Sequence, residues 1–206
     1  MLIKINPNKP QTNEVQKVVD ILKNDGVIIY PTDTVYALGC SIYSHKGIER
    51  IAHLKKLDPE KALFTFICTD ISEISNYVLP IPNPVFKTIK RLTPGPYTFI
   101  LNANNNVPKI LKQNRKTIGI RVADNNITRE IIKHLGHPII SSSVIDESSD
   151  ITEYYTDPED IYKEYKDKVD AIIDGGYGNV IPSTILNCTK EEIECIRQGA
   201  GKWEGM

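Results

Sequence analysis

The chain has 206 residues, 25 Lys and Arg against 26 Asp and Glu, a formal net charge of −1 and 40% apolar residues. That balance excludes disorder, collagen and a disulfide-stapled miniprotein. No apolar run approaches the ~18 residues of a membrane span and the N-terminus lacks a signal-peptide layout, so a cytoplasmic protein with no membrane partner is expected. Cys40, Cys68, Cys188 and Cys195 form no CxxC pair, as suits a reducing compartment. The length is that of one domain, and residues 1–206 are read as a single unit with no stable protein partner evident.

Taken in chain order, Leu2 to Ile5 alternates as a short strand. Val15, Val18, Val19 and Leu22 form a helical stripe, with Gly26 as its expected stop. Val27-Ile28-Ile29-Tyr30 is a continuous apolar run, the mark of a buried strand. Ile48, Ile51 and Ala52 predict a second helix ending near Lys55 and Lys56. Leu63 to Cys68 predicts a strand, Ile71 to Tyr77 a short helix, and Val85 to Leu92 a helix broken by Pro94-Gly95-Pro96. Strands are expected at Tyr97 to Leu101 and Thr117 to Val122, then a helix from Ile127 to Leu135 stopped by Gly136, and a strand from Pro138 to Ser142. Asp157-Pro158-Glu159-Asp160 carries an N-cap, a proline at the first helical position and acids in the first turn. Strands at Val169–Ile173, Thr184–Leu186 and Ile193–Arg197 complete an α/β pattern, and the short strand-to-strand spacings near the end argue for a mixed sheet.

The near-neutral total hides an asymmetry. No Asp or Glu occurs between Ile74 and Ala123, a stretch holding Lys87, Lys90, Arg91, Lys109, Lys112, Arg115, Lys116 and Arg121, whereas eleven acids against three lysines lie between Asp146 and Asp174. Such a split can present a positive concavity to phosphates, or can scatter over several faces once folded.

The most informative segment runs from Gly26 to Gly39. There a buried strand ends at Pro31, and Thr32, Asp33 and Thr34 follow before the chain turns apolar again. Polar groups at the end of a core strand can face a ligand crevice, or Asp33 can close a turn through an Asx bond. In Lys116-Thr117-Ile118-Gly119-Ile120-Arg121 the alternation puts Thr117, Gly119 and Arg121 on one face. An arginine facing inward from a strand needs a partner, either a ligand or an acid of the 146–174 stretch. Ser141-Ser142-Ser143 offers hydroxyls at a strand end. Other chemistries find no support. Gly201-Lys202 lacks the rest of a P-loop, no GxSxG or GxGxxG occurs, and His45, His53, His134 and His137 lack zinc-site spacing.

Taken together, Pro31-Thr32-Asp33-Thr34-Val35-Tyr36, Lys55, Pro94-Gly95-Pro96, Arg121-Val122, Ser143, Pro182-Ser183-Thr184 and Arg197-Gln198-Gly199 resemble the YrdC/YciO domain family, in order and over almost the whole chain. The resemblance implies an α/β fold, a twisted mixed parallel/antiparallel sheet with flanking helices and a large positively charged cavity. It implies L-threonylcarbamoyladenylate synthesis, in which L-threonine, bicarbonate and ATP, with Mg²⁺ on the phosphates, give threonylcarbamoyl-AMP and pyrophosphate for tRNA modification. It also implies contact with tRNA or double-stranded RNA. Residue by residue, Thr34 bonds the amino-acid substrate, and Arg121 clamps its carboxylate through a fork that lysine could not reproduce. Ser143 and Ser183 hold polar groups of the ligand, Lys55 and Lys61 lie near the triphosphate, and Thr117 and Arg197 contact nucleotide. The cations Lys109, Lys112, Arg115 and Lys116 are the RNA candidates. No covalent or acid–base catalytic residue and no protein metal ligand is implied.

The departures from the synthase pattern are specific. Its Lys-x-Arg becomes Lys55-Lys56-Leu57, its Ser-x-Asn becomes Ser143-Val144-Ile145, and a strand histidine is replaced by Phe66-Ile67-Cys68. These changes are similar to the YciO branch. The alternative to a synthase is therefore a YciO-type RNA- or nucleotide-binding paralogue with weak or no synthase activity.

Overall fold

Strand and helix patterns alternate along the chain as expected, and the computed structural model, which describes residues 1–58, 62–112, 116–145 and 153–205, resolves them into one mixed sheet flanked by helices. The first half comprises β1 (Leu2–Lys4), α1 (Thr12–Lys23), β2 (Ile28–Tyr30), β3 (Ala37–Gly39), α2 (His45–Leu54), β4 (Thr65–Ile67), α3 (Ile71–Ile74) and α4 (Asn83–Leu92). There follow β5 (Tyr97–Asn102), α5 (Lys109–Lys112), β6 (Thr117–Arg121), α6 (Asn126–Leu135) and β7 (Ile139–Ser143). The chain closes with α7 (Pro158–Tyr165), β8 (Ala171–Asp174), β9 (Thr184–Asn187) and β10 (Glu194–Arg197).

The strand order is β1-β8-β2-β3-β7-β4-β6-β5-β9-β10. Parallel pairs (β1 with β8, β8 with β2, β4 with β6, β5 with β9) are joined by antiparallel ones, so the sheet is mixed. Alternation along each strand sends side chains to two cores. Ile29, Leu38, Phe66, Phe99 and Ile120 join one, with residues of α2, α3, α4 and α7. Ile28, Tyr30, Ala37 and Ile67 join the other, against α1 and α6.

Local chemistry sets several boundaries. Ser44 caps α2 by accepting from the Gly47 amide, Asp157 caps α7 by accepting from Glu159, and Gly136 ends α6 in the left-handed region at φ 85°. The expected stop at Gly26 is displaced. The left-handed residue after α1 is Asp25, φ 62°, and Gly26 is required for space, since a Cβ there would lie 2.3 Å from Ile21 Cγ2. Two elements had no counterpart in the expected list. The strand β3 is three residues long, too short to show a period, and it forms an antiparallel pair with β2. The single-turn α5 lies within the basic stretch.

Helices leave part of the second face bare. Opposite α1 and α6 the strands are apolar, but across β3, β7, β4, β6, β5 and β9 the same face carries Thr65, Thr98, Ser141 and Ser143. No helix of the described residues is long and apolar enough to cross a membrane.

Candidate functional site

The bare face forms a pocket of about 170 Å³. Register explains its lining. Ser143 pairs with Ala37, Ser141 with Thr65, Thr65 with Gly119 and Ile67 with Arg121, so all of these positions share one face. Gly119 keeps the floor low, because a Cβ there would stand 3.1 Å from Thr65 Oγ1 and 3.5 Å from Thr98 Cγ2. Ser183 and Arg197 close the pocket from the C-terminal strands.

At its centre is Arg121, only 6% exposed. Its Nη1 donates to Thr34 Oγ1 at 2.9 Å and its Nη2 to Asp33 Oδ1 at 2.5 Å. Among the described residues the acid that balances it is therefore Asp33, not one from the 146–174 stretch, and Asp33 does not make the local Asx bond. The turn is closed by Thr32, whose Oγ1 accepts from the Thr34 amide at 3.0 Å and donates to the Val35 carbonyl at 2.8 Å. Since that hydroxyl proton is committed, the 3.1 Å contact between Thr32 and Thr34 has Thr34 as its donor. Burial pulls the Arg121 pKa down, and Asp33 opposes the shift. Arg121 Nε and Asp33 Oδ2 are buried without a hydrogen-bond partner among the described residues. Such groups are costly unless something else meets their polarity.

The pocket walls are tied to the same motif. Asn179 donates from its amide to the Thr34 carbonyl at 3.0 Å and from Nδ2 to the Asp33 carbonyl at 3.2 Å. Ser183 Oγ lies 2.9 Å from Thr98 Oγ1, and Arg197 donates to the Ser183 carbonyl from Nη2 at 2.7 Å and Nε at 3.2 Å. Lys55 Nζ donates to the Ser143 carbonyl at 3.0 Å. Behind Arg121 the Tyr30 phenol is buried, and burial raises its pKa.

Of the residues singled out from sequence, Thr34, Arg121, Ser143, Ser183 and Arg197 line this one pocket, and Lys55 stands beside it. Thr117 does not; it pairs with Asn102 at the far end of β6. Lys61 and Arg115 lie outside the described residues, as does the Lys112 side chain, while Lys109 and Lys116 are exposed and away from the lining. The basic stretch therefore scatters among its described members, with Lys87, Lys90 and Arg91 on α4 and Arg121 alone in the pocket. Sequence reasoning missed Thr65 and Thr98 as lining residues. Extending the Gly119–Arg121 alternation to neighbouring strands was the signal that could have found them. Among the described residues no group of three His, Cys, Asp or Glu could hold a metal ion.

Comparison with known proteins bears on this geometry. A family model for the Sua5, YciO and YrdC domain, described as telomere recombination, matches residues 20–199. The uncharacterized protein YciO of Escherichia coli strain K12 is 40% identical over 198 residues, covering 96% of this chain and 94% of its own. Its crystal structure superposes with a TM-score of 0.90 at 38% identity, over 98% of this chain and 97% of that one. The threonylcarbamoyl-AMP synthase of Nitrosococcus oceani is 33% identical over 129 residues, 63% of this chain and 69% of its own. The structure of P. abyssi Sua5 complexed with L-threonine shares the fold, with a TM-score of 0.87 at 20% identity over 97% of this chain and 57% of that longer one.

Proposed function

This chain belongs to the Sua5, YciO and YrdC family, and on that premise we propose that its pocket receives L-threonine for threonylcarbamoyl-AMP synthesis from threonine, bicarbonate and ATP. The observation that carries this reading is the Arg121–Asp33–Thr34 cluster at the floor of a hydroxyl-lined pocket of amino-acid size, about 170 Å³. Charged and hydroxyl donors gathered at one small buried spot suit a short zwitterion bearing its own hydroxyl better than an apolar ligand. Supporting it, the relatives include threonylcarbamoyl-AMP synthases, and one protein of the same fold has been crystallised with L-threonine.

In this reading Arg121 faces the threonine carboxylate with donors its internal bonds leave free, including Nε. Thr34 Oγ1 keeps an acceptor lone pair for the ligand. A pocket of about 170 Å³ cannot also enclose a nucleotide, so ATP lies at the mouth, toward Lys55 and Arg197, with Mg²⁺ carried on its phosphates. The threonine nitrogen adds to bicarbonate with loss of water to give a carbamate. A carbamate oxygen then attacks the α-phosphorus of ATP, the bond to the β-phosphate oxygen breaks, and pyrophosphate leaves. The protein's part is positioning and charge neutralisation. The product would supply a tRNA-modifying transferase.

A second reading has one specific observation behind it. Leu57 is 46% exposed and stands where the synthase pattern has arginine. With Ile145, it describes a YciO-type nucleotide- or RNA-binding paralogue in which the pocket persists and the chemistry is weakened. Pyrophosphate release with ATP, Mg²⁺ and bicarbonate, measured with and without L-threonine at high enzyme concentration, separates the two. Threonine-dependent release that falls at least about tenfold in Arg197→Ala supports the synthase. Absence of release with retained ATP binding transfers the assignment to the binding paralogue.

A further inference from the structure

A second cavity, of about 890 Å³, opens at the C-terminal ends of the parallel strands β4 and β6 and shares no lining residue with the pocket. Strand ends of this kind are where α/β sheets leave room for ligands, and the volume is that of an organic small molecule. Its apolar surface comes from Ile71, Val122 and Ile132. Lys90 from the last turn of α4 and Arg129 and Lys133 from α6 face the same space.

The charges are unevenly committed. Lys90 has no hydrogen-bond or ion-pair partner among the described residues. Lys133 meets Glu130 only at 3.5 Å, and Arg129 meets Asp124 at 3.2 Å, with both acids outside the lining. The two acids that do line it belong to α3 and its cap and are already engaged. Asp70 caps α3, accepting from the Ser72 and Glu73 amides, and Glu73 Oε2 accepts from the Thr69 amide and hydroxyl. The Ser72 hydroxyl, which also donates to Asp70 Oδ1, together with the two amides holds the Asp70 carboxyl below the usual carboxylate range. The lining thus joins apolar surface to three cations from two helices and two carboxylates already bonded at the start of α3, an excess of positive charge, and the occupant matching it has a hydrophobic body and one anionic head.

We propose that this cavity is a ligand site for an amphipathic organic anion, its body against Ile71, Val122 and Ile132 and its carboxylate, phosphate or sulfonate between Lys90, Arg129 and Lys133. The site is independent of the threonine pocket.

Anilinonaphthalene sulfonate supplies the anionic probe and N-phenylnaphthylamine its uncharged counterpart. Fluorescence titration of the natively folded protein is expected to give one saturable site for the sulfonate. The triple variant Lys90→Glu, Arg129→Gln, Lys133→Glu should weaken it at least about tenfold, the loss expected of charge-assisted contacts, while the uncharged probe changes by less than about twofold. Methyl resonances of Ile71, Val122 and Ile132 should shift on sulfonate binding, a readout that needs no variant to fold. Equal sulfonate affinity in wild type and triple variant overturns the proposal. So does displacement of the sulfonate by L-threonine, which would place it in the other pocket. Absence of saturable binding, with those methyls unmoved, also overturns it.

Discussion

The two concavities of this molecule are built on opposite plans. The small one is made by strands. Its central cation is buried, its acid is two ångströms and a half away, and its hydroxyls are fixed by register across six strands. The large one is framed by helices and strand ends, its cations reach in from solvent-facing turns, and the acids paired with Arg129 and Lys133 are outside it while Asp70 and Glu73 line it. Volume therefore does not rank the sites. Precise polar chemistry belongs where the sheet pins each atom, and looser recognition of shape and charge belongs where helices frame a gap.

The sharpest way to break this comparison is to remove one member of the buried pair. Arg121→Ala leaves Asp33 charged and buried, at a cost of about 3–5 kcal/mol, or a fall of roughly 10 °C in Tm for a chain of this size. Lys133→Ala at the cavity rim should stay within about 0.5 kcal/mol. Thermal unfolding of both variants decides the matter, and equal midpoints would remove the distinction.

Next in size is the restoration of the synthase pattern at Leu57 and Ile145. Leu57→Arg with Ile145→Asn restores two donors of the synthase pattern, and each charged hydrogen bond is worth about 1.5–3 kcal/mol. Threonine-dependent pyrophosphate release should rise tenfold or more relative to wild type, about 1.4 kcal/mol per decade. An unchanged rate would mean that these positions do not face the reacting phosphates.

Much of this was legible before the fold. The helices at Val15–Leu22 and Ile127–Leu135 show their stripe in the sequence, because burying one face of a helix repeats every three or four residues. The site was legible in part, since Thr32-Asp33-Thr34 after a buried run, and an inward arginine on an alternating strand, each announce unusual chemistry. Their pairing with each other was not, because 88 positions separate Asp33 from Arg121 and only the strand order brings them together. The hairpin strand β3 was hidden for a different reason, as three buried residues carry no alternation. The basic stretch misled, since among its described members Lys109 and Lys116 are exposed while Arg121 is buried in the pocket.

Alkaline pH probes the anchoring behind the pocket. Burial pushes the Tyr36 phenol up to about 12 from 10.0 and the Cys188 thiol up to about 12 from 9.0, and raises Tyr30 as well. Each holds its proton longer folded than unfolded. The stability they contribute is complete below their ordinary range and is lost as pH climbs through about 12. The denaturation midpoint should therefore begin to fall as pH rises above 9.0 and fall more steeply above 10.0, with the phenolate absorbance of Tyr30 and Tyr36 appearing together with unfolding. Their titration in the intact fold would contradict the burial.

The smallest effect concerns the exposed cations. Lys109→Ala with Lys116→Ala should leave pyrophosphate release within about twofold, and the proposed RNA contact predicts a salt slope of RNA retention lower by about 1 to 2. An unaltered slope would remove these residues from any RNA surface.

The most direct test of the account is calorimetric titration of L-threonine into the wild-type chain and into Thr34→Val. The pocket predicts one threonine site whose affinity falls at least about tenfold when the Thr34 hydroxyl is removed. Equal affinity in the two proteins, or no threonine binding to the wild type, would contradict it.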